Sequence, residues 1–142
     1  MTQLTAEEKR QLICRAQQAR AFAQAPYSRF TVGAALLAAD GRVFTGCNVE
    51  NAAYSPTNCA ERTAFFKAVY DGHRSFTAIA VVGGKDGVIT GSFPPCGVCR
   101  QVMREFVHDD FMIYMGGADG YTAMTMAELL PAGFKASEHM AL

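Results

Sequence analysis

Cys59-Ala60-Glu61, followed far along the chain by Pro94-Pro95-Cys96-Gly97-Val98-Cys99, constrains what this sequence can fold into more than any other feature. Three thiols that hold one ion force two distant segments against each other, so the fold must bring both to one point. Structural zinc is normally closed by four protein ligands, whereas catalytic zinc keeps three and leaves one coordination position open. Glu61 stands only two residues from Cys59. It is better placed to handle protons beside the ion than to complete the tetrahedron.

Both thiol-bearing segments fall where helices are expected to begin. The first turn of a helix carries unpaired N–H groups and partial positive charge, which favour thiolate over thiol. Cys96 and Cys99 are three residues apart and project on one helical face. A Cys-x2-Cys pair alone is shared with redox motifs and zinc ribbons, and the distant Cys-Ala-Glu sharpens it. The competing reading is a structural zinc closed by His73, His108 or His139, none of which is paired closely in sequence with a cysteine. Glu61 also has an ordinary reading: with Asn58 as N-cap it occupies the third helical position of a capping box. Three zinc ligands nearby favour proton transfer instead. Three thiolates on one Zn2+ leave a net charge of −1, which a guanidinium at Arg62 would offset by donating to the sulfurs. Its alternative is a plain exposed helix residue.

Composition narrows the class. The 142 residues are half hydrophobic and 18% charged, which predicts one globular domain spanning residues 1–142. Thirteen basic residues balance thirteen acidic ones without a Lys/Arg stripe, so no nucleic-acid partner is expected. The N-terminal MTQLTAEEKRQL lacks the apolar centre of a signal peptide, and no apolar run approaches the roughly 20 residues of a membrane span. Five cysteines without a sign of export suit a reducing cytoplasm. Cys14, beside Leu12 and Ile13, is expected to fill the core, as is Cys47 in a strand-like segment.

The order of elements reads as α/β. A capping box at Thr5 and Glu8 opens a helix that continues until Pro26. Strands are expected over residues 30–37 and 42–46 around an Asp40-Gly41 turn. A polar stretch from Asn48 to Asn58 leads into a helix over 59–69. A buried strand over 76–82, a Gly-rich loop, a helix over 96–106, strands over 111–115 and 121–124, and a short helix over 127–130 complete the pattern. The tail from Lys135 carries little signal. About five strands should form a mixed sheet. Alternation puts Asn48 and Glu50 on one side, where an amide and a carboxylate suit a sugar's hydroxyls; a solvated loop is the plainer reading. Phe30 either stacks on a flat ring or fills the core.

At these residues the chain closely resembles the cytidine deaminases of the short, homotetrameric, three-cysteine type. The resemblance rests on Ala25-Pro26-Tyr27-Ser28, Phe30-Thr31-Val32-Gly33-Ala34-Ala35, Gly46 to Tyr54, Cys59-Ala60-Glu61-Arg62-Thr63-Ala64, Pro95 to Gln101, and Leu129-Leu130-Pro131. It implies a three-layer α/β/α sandwich and hydrolytic deamination of cytidine or deoxycytidine in pyrimidine salvage. It further implies one Zn2+ per chain on Cys59, Cys96 and Cys99, with Glu61 shuttling protons. By the same resemblance Asn48, Val49 and Glu50 form the ribose-binding segment, Phe30 packs on the base, and the backbone at Ala60 reads the pyrimidine edge. Phe134 would enter a neighbouring subunit's site, making a homotetramer with shared sites. Ser55-Pro56-Thr57 departs from related short enzymes just ahead of the metal helix.

Three other functions remain open at this stage. A deaminase of a modified cytosine nucleoside such as blasticidin S would keep the same metal chemistry. A polynucleotide deaminase would call for basic or aromatic surface of which the neutral, Trp-free composition gives little sign. A zinc-stabilised binding module predicts a fourth protein ligand.

Overall fold

The computed structural model describes residues 3–140. Helix α1, Ala6–Ala19, starts at Thr5, whose side chain accepts from the Glu8 N–H while Glu8 bonds back, the capping box expected from sequence. It continues into a 3-10 turn at Arg20–Phe22. Leu12, Ile13, Ala16 and Ala19 form its buried stripe. Cys14 does not: it is exposed, correcting the expectation of core packing. The stripe is one residue too narrow to include it, because each helical step turns the side chain by about 100°.

Strand β1 (Phe30–Ala38) and β2 (Val43–Cys47) form an antiparallel hairpin. Helix α2 (Ala60–Tyr70) then crosses to β3 (Phe76–Lys85), which pairs antiparallel with the other edge of β1. Helix α3 (Gly97–Phe106) connects β3 to β4 (Met112–Gly117), its parallel neighbour. Strand β5 (Gly120–Thr125) returns antiparallel, giving the order β2-β1-β3-β4-β5. The five-stranded mixed sheet is the one expected.

Two apolar clusters lie on opposite faces of this sheet. Leu12, Ile13 and Ala16 of α1 pack with Ala35, Ala78, Ala80, Val82 and Tyr114. On the other face Ala60, Ala64 and Phe65 of α2 and Met103 of α3 pack with Val32, Leu36, Ile79, Val81 and Ile113. Period-two alternation along β1 and β3 separates the two sets. The result is the α/β/α sandwich, with both thiol-bearing helices on the same side.

Strand β3 runs on through Gly83-Gly84, which the sequence pattern puts in a loop. The reason is pairing: Val32 and Thr31 of β1 lie opposite Gly83 and Gly84. Helix α4 (Met126–Leu129) has its own capping box at Thr125 and Glu128, and a short α5 (Ala136–His139) forms in the tail.

Gly46 sets the seat of α2. A Cβ there would lie 2.5 Å from the Ala60 carbonyl oxygen and 2.7 Å from the Ala64 nitrogen, both backbone atoms that have no room to yield. The helix therefore rests directly on β2 at its metal-bearing end. Gly46→Ala should push the start of α2 outward, costing about 1–3 kcal/mol of stability and lowering zinc content per chain. Urea unfolding and metal analysis on the same preparation check both effects.

Candidate active site

Cys59 is the N-cap of α2 and Cys96 the N-cap of α3, both with extended backbone and neither making a side-chain cap bond. The expected cap at Asn58 is corrected by one residue. Asn58 instead pairs with Val49 through two backbone hydrogen bonds of 2.9 Å, and its amide donates to Thr63. Glu61 thus stands at the second helical position, not the third, and is no capping-box partner of Asn58. Cys99 lies one turn into α3 and is buried.

The three sulfurs lie within 4.8 Å of one another, with Cys59 and Cys96 3.8 Å apart. A tetrahedron with Zn–S bonds of about 2.3 Å separates its sulfurs by about 3.8 Å, so the cluster fits zinc. Among the described residues no imidazole or carboxylate joins the three. His73 pairs with Asp40 at 2.9 Å, and His139 takes a hydrogen bond from the Lys135 N–H. The donor set is that of an open, three-thiolate site.

Charge around the sulfurs is asymmetric. A hydrogen bond from Cys99, helped by Arg62, brings the Cys59 thiol down to about 5. The same bond and burial push Cys99 up. Arg62 donates to the Cys59 sulfur at 3.2 Å, the contact expected of it. Burial alone would weaken the guanidinium's charge, but its bonds to the sulfurs outweigh that and hold it firmly cationic. Glu61 is only 4% exposed, and burial pushes its carboxyl up to about 7.

Two residues not singled out from sequence fix the helix starts. Thr63 donates to the carbonyls of Cys47 and Cys59, tying the first turn of α2 to the end of β2. Arg100 donates to the Pro95 carbonyl just before Cys96 and to that of Leu129, each at 2.8 Å. No spacing rule marks either one, since each also reaches a backbone oxygen distant in sequence, that of Cys47 for Thr63 and that of Leu129 for Arg100.

The polar stretch folds against β1. Asn48 is buried, its Oδ1 accepting from the Val32 N–H and its Nδ2 donating to the Phe30 carbonyl. Glu50 accepts from the Tyr27 and Ser28 N–H groups at 3.0 Å and from the Ser28 hydroxyl. Those bonds, despite the opposing effect of burial, hold its carboxyl below the usual range. Val49 is half exposed. Phe30 is partly exposed and its ring leans on Phe93. Ala60 is buried at the first position of α2. Phe134 is 53% exposed, stacked on His139 of its own chain, with its carbonyl held by Gln101. Cys47 is half-buried at the end of β2.

Fold and site together define a zinc-dependent hydrolase built on two helix N-termini. Residues 6–115 match the family described as the cytidine and deoxycytidylate deaminase zinc-binding region. A cytidine deaminase from Sporosarcina psychrophila is 53% identical over 124 residues, 87% of this chain and 88% of that one. One from Halalkalibacterium halodurans is 50% identical over 132 residues, 92% of this chain and 97% of that one. A crystal structure of the Burkholderia pseudomallei cytidine deaminase aligns with a TM-score of 0.80 at 47% identity, covering 87% of this chain and 97% of that one. The chain belongs to the cytidine deaminase family, enzymes that hydrolyse a carbon–nitrogen bond.

The geometry makes a sharp distinction among the five cysteines. Cys96→Ala and Cys99→Ala should each lose most of the zinc, while Cys14→Ser and Cys47→Ser keep about one ion per chain. Metal analysis of the purified variants checks the assignment, and full occupancy in either alanine variant contradicts it.

Proposed function

We propose that this enzyme hydrolyses cytidine and deoxycytidine to the uracil nucleosides and ammonia, acting in the cytoplasm in pyrimidine salvage, with residues 1–142 forming one catalytic domain. The observation that carries this reading is the buried Glu61 carboxyl beside an open three-sulfur cluster. Support for the substrate comes from the relatives, which are cytidine deaminases along most of their length.

Zinc held by Cys59, Cys96 and Cys99 supplies the Lewis acidity that lets water act as a nucleophile near neutral pH. Glu61 takes the proton that water loses as its oxygen attacks C4 and delivers it to ring N3. It next takes the proton of the C4 hydroxyl and passes it to the C4 amine, so the C4–N bond breaks, ammonia leaves and the C4 carbonyl forms. One water is consumed for each ammonia released. A carboxyl poised at about 7 is suited to both accepting and giving a proton at neutral pH. Arg62 offsets the negative charge of the thiolates and so keeps the ion a useful acid.

Nucleoside binding falls to the segment around β1. Asn48 uses one of its two N–H groups and one lone pair on its amide oxygen to hold β1, leaving one donor and one acceptor for a sugar hydroxyl. Glu50 retains lone-pair capacity on Oε2 for a second hydroxyl. Phe30 packs on the base, the Ala60 backbone meets the pyrimidine edge, and Val49 lines the approach. No helix among the described residues is long and apolar enough to cross a membrane.

The working unit is a homotetramer in which Phe134 closes a neighbour's site. What supports this is aromatic surface that one chain leaves uncovered: Phe22 is 81% exposed, Tyr54 70%, Tyr70 91% and Phe134 53%. Phe134 is held at its carbonyl but not enclosed.

Purified protein incubated with cytidine, deoxycytidine and 5′-phosphorylated cytidine, with ammonia and zinc followed together, tests the reaction. Ammonia should come from both nucleosides. Glu61→Ala should keep its zinc and lose about 10⁴-fold in turnover, the upper end for an acid–base group and appropriate to one used twice. Retention of more than about a tenth of the activity would reduce Glu61 to a structural role. Co-refolding Glu61→Ala with Phe134→Ala checks the assembly. If sites are shared, mixed tetramers exceed the summed activity of the separate variants; no recovery in verified mixed tetramers places Phe134 in its own subunit's service.

A further inference from the structure

We propose that Phe93 is a positioning residue that sets the ring of Phe30 relative to the metal helix; this rests on the reading that Phe30 packs on the base. Phe93 lies on the loop between β3 and α3, three residues ahead of Cys96, and no motif marks it. Its ring occupies the place of a missing side chain. A Cβ on Gly83 would meet Cδ1 and Cε1 of Phe93 at 2.8 Å and Cγ at 2.9 Å. Gly83 therefore admits the ring onto the sheet.

Sheet register puts Phe30 at the edge of that seat. Val32 lies opposite Gly83 and Phe30 opposite Lys85, so Val32 and Phe30 share the face of the sheet on which α2 and α3 pack. The centroids of Phe30 and Phe93 are 6.1 Å apart with their planes tilted by 40°. The loop is pinned beneath the ring as well. Thr90 donates to the Gly83 carbonyl through both its N–H and its hydroxyl, at 3.0 and 3.2 Å.

On its other side Phe93 is tied to the sulfurs by a stiff link. Pro94 and Pro95 have fixed φ angles, and the Pro95 carbonyl is held by Arg100. The ring thus stands at a set distance from Cys96 while it backs Phe30. Without it, the partly exposed Phe30 ring at the strand end would keep only the Lys85 ammonium, 5.9 Å from its centroid, against it. With it, the face that meets the base is indexed to the metal centre.

Four single variants and one double variant test this, with KM for cytidine, kcat and zinc content as readouts. Phe93→Leu and Gly83→Ala, which disturb the contact from opposite sides, should each raise KM about fivefold. Zinc should stay at about one per chain and kcat within about twofold. Phe93→Tyr keeps the ring and should leave KM within about twofold. In a Phe30→Ala background, Phe93→Leu should add less than about twofold. Unchanged KM in both Phe93→Leu and Gly83→Ala overturns the proposal, as does an additive effect in the Phe30→Ala background. Loss of zinc overturns it too, because Phe93 would then serve the folding of the metal loop. Unchanged KM in Phe30→Ala instead overturns the role of Phe30, and absence of cytidine turnover in the wild type overturns the proposed reaction.

Discussion

Two helix N-termini facing one point is the arrangement on which the rest of the structure depends. Each brings unpaired N–H groups and about half a positive charge, so they repel unless anions lie between them. The groups between them are the helices' own N-cap side chains, Cys59 and Cys96, with Cys99 one turn further in, and binding zinc would make all three thiolates. Neither N-cap sulfur caps the backbone N–H groups of its helix, which leaves both for the cluster. The surrounding contacts act mainly on the position of those starts: Gly46 lets α2 sit on β2, Thr63 ties its first turn to the sheet, and Arg100 holds the residue before Cys96. A displacement of about 1 Å at any of them would spoil a tetrahedron whose sulfurs need about 3.8 Å between them.

Much of this was legible in the sequence because it is written in periodic or closely spaced residues. The capping box at Thr5, the alternating strands and the Cys-x2-Cys pair are local rules, and each appears where those rules put it. The misses have a common cause. Asn58 is a better N-cap residue than cysteine, but its backbone is taken by the bridge to Val49, so the helix begins one residue later. Cys14 stands beside two core residues, yet helical rotation carries it off the buried stripe. Gly83-Gly84 has loop composition and is strand because β1 supplies partners. In all three a contact or rotation in space overrides what immediate neighbours suggest.

Glu61 and Arg62 are adjacent and do opposite things. One residue of helix turns the side chain by about 100°, enough to bury the carboxyl while the guanidinium reaches the Cys59 sulfur. Burial raises the energy of the carboxylate, and the charge on Cys59 adds to that, while a hydrogen bond with Cys99 works the other way. Arg62 pulls the other way by holding positive charge against the same sulfurs. The order Cys-x-Glu-Arg on one helix therefore separates the proposed proton carrier from the positive charge set against the Cys59 sulfur.

The same economy of position extends to the proposed nucleoside site. Asn48 and Glu50 are fixed by backbone bonds before any ligand arrives, so neither loses rotamer freedom on binding. Because Asn48 holds the Phe30 carbonyl and the Val32 N–H, the amide proposed to meet the sugar also fixes the strand end that carries the ring proposed to meet the base. Phe93 backs that ring from the side of α3, whose N-cap is a metal ligand. Sugar, base and reacting carbon would then be referred to one frame, with β1 as its axis. An error at the start of β1 would misplace all three together, and four separate side chains, Asn48, Ser28, Phe93 and Lys85, converge on Phe30.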